Sequence, residues 1–199
     1  MIFLAHRRLP ATLLALGLFW STPGTGLASE KKYQRSLESY VTPQVELINQ
    51  DRAHINLEQL LTAEGPVMLD FIYATCTTIC PVLSAGFSNL QKRLGAEAGG
   101  VRFVSISIDP EHDTPEIMRE YLDRYRAKPG WDFLTGGRQE IDLVMHAFDA
   151  FVSNKMSHYP LILIKKPGTN EWVRIFGLIG TRDLLEEYRR YYPAPEKSQ

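Results

Sequence analysis

Cysteine is nearly absent: the chain has two in 199 residues, Cys76 and Cys80. That excludes a disulfide framework and a four-thiolate structural zinc site. Long apolar runs are scarce too. Leu9–Trp20 is the main uncharged stretch, and it is too short to span a bilayer comfortably. No charge sign dominates, since 22 Lys and Arg face 23 Asp and Glu, for a net charge of −1. Nucleic acid and anionic membrane surfaces are therefore poor general partners. Internal repeats and low-complexity segments are missing, which sets aside solenoids and compositionally biased chains.

What is there suits one ordinary domain with a sizeable core. The N-terminus stands apart. Arg7-Arg8 precede the apolar Leu9–Trp20, then come the turn formers of Ser21–Gly26 and the small-residue site Gly26-Leu27-Ala28. This is the order of a secretory signal. Residues 1–28 are expected to be a signal peptide, with an uncleaved membrane anchor as the alternative. The mature chain would start near Ser29 or Glu30. Residues 29–43 are charged and polar and read as a flexible lead-in, and residues 44–193 read as the domain.

Within the domain, Val45–Ile48 and His54–Leu61 read as short strands or turns. Val67–Tyr73 is apolar except for Asp70, the mark of a buried strand. Pro81–Leu94 places Leu83, Phe87, Leu90 and Leu94 at helical spacing, and Gly95–Gly100 ends that helix. Val101–Ile108 alternates as a second central strand. Thr114-Pro115-Glu116 reads as N-cap, first-turn proline and early acid, opening a helix to about Tyr125. Gln139–Phe151 reads as a helix, Leu161–Lys165 and Glu171–Leu178 as a hairpin, and Thr181–Tyr191 as a last helix capped by Thr181. This order predicts an α/β fold of thioredoxin-like plan, with a central mixed sheet flanked by helices and its first two central strands parallel.

The two cysteines stand at that fold's usual active position, after a central strand and at a helix start. Pro81 suits the first turn of the helix. The positive helix end favours thiolate there. Two thiolates are too few for zinc but suit copper(I), and a histidine would make the site acceptable to copper(II) as well. Close spacing in an exported chain also makes a reversible Cys76–Cys80 disulfide expected. Five histidines are candidates for the third ligand. His6 lies in the signal, His54 precedes the core strands and His146 is in a helix. His112 and His158 both lie on loops that could face the dithiol. Met156 reads as a packing residue. Asp109 and Asp113 read as turn or capping acids at the site edge.

The stretch Phe71–Pro81, "FIYATCTTICP", resembles the C-x-x-x-C-P signature of the Sco (SenC) family of copper-binding proteins, and Ser105–Pro115, "SISIDPEHDTP", is similar to its strand-and-loop motif. The likeness covers about Pro43 to Tyr192. It implies a thioredoxin-like fold and copper bound by Cys76, Cys80 and His158, favouring His158 over His112. It also implies an exported protein of the bacterial periplasm or the outer face of the inner membrane. There it would deliver copper to, or mature, the binuclear copper site of cytochrome c oxidase. The implied partners are a copper-accepting oxidase subunit and a thiol reductant or copper donor. In this chain Ser157 precedes His158 where the family carries an acid, and Thr77-Thr78-Ile79 separates the cysteines without Pro-Asp. Two enzyme readings stand beside the metallochaperone: a thiol-disulfide oxidoreductase and, with less support, a thiol peroxidase. Between Val45 and the dithiol only Arg52 could supply the arginine that a peroxidase needs.

Overall fold

Six consecutive buried residues form β4, Val67–Ile72, at the middle of the sheet. A strand covered on both faces needs a near-continuous apolar run, which explains its composition apart from Asp70. The computed structural model describes residues 32–194, so the expected signal peptide and His6 lie outside the described residues. Among the described residues, no helix is long and apolar enough to cross a membrane.

In chain order the elements are β1 (Tyr33–Ser39), β2 (Glu46–Asn49), β3 (His54–Asn56), α1 (Leu57–Thr62), β4 and α2 (Cys80–Leu94). Then come β5 (Arg102–Ser107), α3 (Pro115–Arg124), β6 (Trp131–Thr135), α4 (Arg138–Ala147), β7 (Leu161–Lys165), β8 (Glu171–Gly177) and α5 (Thr181–Arg189). The strands form one sheet in the order β1-β8-β7-β4-β5-β6-β2-β3. Pairs β4–β5 and β5–β6 are parallel, and the others are antiparallel. The parallel pairs follow from the α2 and α3 crossovers. Phe87 of α2 packs edge-on against Phe103 and Trp131, at centroid distances of 5.2 and 5.6 Å. Phe148 packs against Phe71 and Trp172.

Four expectations need correction. The lead-in of residues 29–43 contains β1, which pairs antiparallel with β8 along its whole length. An edge strand of this kind is held by backbone bonds and keeps most side chains in water, so its sequence looks like coil. Arg35 fastens it to α5 by donating from Nε to Glu187 Oε2 at 2.9 Å. Where β1 begins, Gly177 has φ 111°, and a Cβ there would stand 2.7 Å from the Lys32 carbonyl oxygen. Strand β6 is the second correction, since no strand is expected between the Tyr125 and Gln139 regions. The third is the cap of α5: Gly180 is its N-cap and Thr181 its first residue, with no side-chain cap. Helix α4 also ends at Ala147, four residues before the expected Phe151, as the chain turns through Asp149 at φ 51°.

Candidate metal centre

Residues 73–79 carry the chain from β4 to α2. Asp113 holds this loop, since both its carboxylate oxygens accept from the Ala74 N–H at 3.2 Å. Ser107 Oγ donates to Asp113 Oδ2 at 2.6 Å. Burial raises the Asp113 carboxyl to about 6, with the Ser107 and Ala74 bonds opposing. Asp113 is thus a buried latch on this loop, beyond the turn or capping role expected of it. Asp113→Ala should cost about 2–4 kcal/mol, because it strands buried donors from Ala74 and Ser107. Urea unfolding measures this, and a loss below about 1 kcal/mol would restore the turn-residue reading.

The first turn of a helix leaves N–H groups without intrahelical partners. Here Cys76 supplies one partner, because the Cys80 N–H donates to Cys76 Sγ at 3.5 Å. Thr78 Oγ1 lies 3.6 Å from the same sulfur. Burial works to raise the Cys76 thiol, but the hydrogen bonds from Cys80 and Thr78 outweigh it and bring Cys76 down to about 7. Burial, with the bond to Cys76 added, pushes the Cys80 thiol up instead. The two sulfurs are therefore unequal: Cys76 is the readier thiolate. Both are free thiols in this structure.

His158 reaches the pair from the turn before β7. Its Nδ1 lies 2.7 Å from the Lys155 carbonyl oxygen, which can only accept, so Nδ1 carries the proton. Nε2 is left with its lone pair toward the dithiol, 3.1 Å from Cys80 Sγ and 4.0 Å from Cys76 Sγ. Burial lowers the imidazole pKa, with the Lys155 carbonyl opposing, and so favours the neutral ligand form. The three donor atoms lie within 4.8 Å of one another and form the one His, Cys, Asp and Glu cluster of this kind among the described residues. Two sulfurs and one neutral nitrogen, with a fixed tautomer, suit copper.

The other candidates separate cleanly. His112 is mostly exposed and bonds through Nδ1 to Asp109 Oδ1 at 2.9 Å, outside the cluster. His54 pairs with Glu46 in solvent, and His146 stacks on Phe151 at 4.0 Å. Met156 is 73% exposed, which overturns its reading as a packing residue. Burial would raise Asp109, but bonds from Lys155 and His112 prevail and hold its carboxyl below the usual range. Two contributors carry no signal in the sequence pattern. Tyr73 meets the His158 ring edge-on at 5.1 Å. Lys155 supplies the carbonyl beneath His158 and an ammonium that pairs with Asp109. Tyr73 meets His158, and the Lys155 ammonium meets Asp109, across long stretches of chain, so no local motif marks these contacts.

A mixed sheet with paired thiols at the end of a parallel strand, completed by a distant imidazole, defines a thioredoxin-like protein with a soft-metal site. The family model described as SCO1/SenC matches residues 34–166, and the chain belongs to that family. It is 43% identical over 108 residues to the SCO1 protein homolog of Bacillus subtilis, covering 52% of this chain and 54% of the relative. It is 28% identical over 122 residues to Protein SenC of Rhodobacter capsulatus, covering 61% and 49%. The chain thus spans about half the length of these curated relatives. Solved structures are similar over more of their length. BsSco, described as a cytochrome c oxidase assembly protein with a disulfide switch, matches with TM-score 0.64 and 28% identity, over 78% of this chain and 95% of that one. Copper-bound ScoI of Bradyrhizobium japonicum matches with TM-score 0.61 and 25% identity, over 76% and 99%.

Proposed function

We propose that this protein is an exported copper metallochaperone that holds copper through Cys76, Cys80 and His158. In this reading it delivers copper to, or matures, the binuclear copper site of cytochrome c oxidase. The observation that carries the proposal is the convergence of two thiol sulfurs and an unprotonated Nε2 within 4.8 Å. Its partners would be an oxidase subunit that accepts the metal and a thiol reductant or copper donor. Residues 1–28 would take the chain out of the cytoplasm, to the periplasm or the outer face of the inner membrane. Left uncleaved, they would also anchor it to the membrane.

The inequality of the thiols favours a second activity on the same residues. With Cys76 brought down to about 7 and Cys80 pushed up, Cys76 is suited to attack a partner disulfide and Cys80 to resolve the mixed disulfide. Two electrons and two protons would pass to the partner, leaving a Cys76–Cys80 disulfide. Copper binding needs the dithiol reduced, so the two activities alternate.

The deciding experiment mixes the copper-loaded protein with the metal-free soluble copper domain of an oxidase subunit. Growth of the binuclear-centre optical spectrum, lost in Cys76→Ser, supports delivery. If the acceptor gains only reduced thiols and no copper, the oxidoreductase reading replaces the chaperone one.

A further inference from the structure

Met156 stands two residues before His158 and is 73% exposed, whereas Met68, Met118 and Met145 are buried in the core. Exposing a thioether side chain forgoes the stabilisation that burial would give, so packing does not account for it. The residue is nonetheless held in place. Its backbone N–H donates to Asn154 Oδ1 at 2.9 Å, and its Sδ accepts from the Tyr73 hydroxyl at 3.4 Å. The same Tyr73 ring lies edge-on against His158. A thioether sulfur has two lone pairs. The hydroxyl uses one, and the other is open to a soft metal ion.

We propose that Met156 is a copper(I) exchange ligand, whose thioether takes the ion as it passes to or from Cys76, Cys80 and His158. The proposal rests on the copper reading above. The thioether is neutral and takes the ion without losing a proton; as one coordination bond forms and another breaks, a thiol that receives the ion gives its proton to solvent, and no electron moves. A ligand used only in passage lowers the barrier equally in both directions and leaves the binding equilibrium unchanged.

The test compares the reduced protein with Met156→Leu, which keeps size and apolarity but removes the donor. Copper(I) uptake and its removal by a chromophoric chelator are followed by stopped flow. Both rates should fall roughly tenfold while equilibrium affinity stays within about twofold. X-ray absorption at the selenium edge of selenomethionine-labelled protein, frozen during removal, should show a selenium–copper path that Met156→Leu lacks. Unchanged rates and no such path overturn the proposal. So does a loss of affinity carried by the release rate alone, which would make Met156 a resident ligand. If the parent protein fails to bind copper(I) at all, the copper reading itself falls; if it binds and Met156→Leu matches it, only the exchange role does.

Discussion

His158→Ala should weaken copper(II) binding by roughly a hundredfold or more while leaving much of the copper(I) binding in place. Copper(I) is satisfied by the soft thiolates of Cys76 and Cys80. Copper(II) is harder and gains from nitrogen coordination, which His158 Nε2 supplies. The Lys155 carbonyl accepts from Nδ1 at 2.7 Å and fixes which nitrogen is open. Nε2 lies 3.1 Å from Cys80 Sγ, so removing the ring takes a donor out of the cluster itself. Competition titrations against chelators of each oxidation state measure the two affinities. Paramagnetic resonance should lose the nitrogen couplings in the same variant. Cys76→Ser and Cys80→Ser should weaken both oxidation states. His112→Ala is the control, because its ring bonds Asp109 and faces solvent. The ligand assignment fails if His112→Ala abolishes the copper(II) spectrum and His158→Ala leaves it intact.

The second large effect concerns Asp70. It lies in β4 between Ser105 on β5 and Ile162 on β7, fully buried, with neither carboxylate oxygen in a hydrogen bond. Burial raises its pKa from 3.8 to about 7; the nearby Ser105 hydroxyl opposes the rise but does not lie in bonding geometry to it. The folded state therefore holds this proton more tightly than the unfolded chain does. Below about pH 4 both states are protonated and the group contributes no difference. Between about pH 4 and 7 the unfolded chain ionises first, so stability falls as pH rises, and above about pH 7 the full penalty is present. A shift of this size corresponds to about 4 kcal/mol. Asp70→Asn keeps the shape and cannot ionise, so it should be more stable than the parent at pH 8 by about 2–4 kcal/mol. At pH 4 it should show no such advantage. Asp113 is shifted upward too, so the comparison is made between variant and parent at each pH. Urea unfolding of the reduced protein at both values measures it. Equal destabilisation of Asp70→Asn at both pH values would show that the carboxyl pays no ionisation penalty.

Both effects centre on one strand–loop–helix unit, and that unit is legible locally. The apolar run of β4, the leucine and phenylalanine spacing of α2 and the first-turn Pro81 depend on neighbours a few residues away. The Thr114 cap is local in the same way: its side chain accepts from the Ile117 N–H, as the Thr-Pro-Glu run implies. The β7–β8 hairpin follows from its Pro-Gly turn. Two strands are harder to read. β1 buries little beyond Tyr33, and β6 is Trp-Asp-Phe-Leu-Thr, too short and too evenly buried to show a period. Each is defined by the strand it bonds to rather than by its own pattern.

The amino-acid sequence by itself determined the dithiol: its thiols, their spacing and their seat at a helix start are all local. Only the tertiary structure decided what surrounds it. His158 meets Cys80 across 78 positions, Asp113 reaches Ala74 across 39, and Tyr73 meets Met156 across 83. His112 and His158 look alike as loop histidines before folding. Sheet order separates them: β7 lies beside β4 and carries the His158 turn to the sulfurs, while Asp109 turns His112 toward solvent. Such contacts form only once the sheet has closed the long loops between their partners, and that closure is a property of the whole chain's packing.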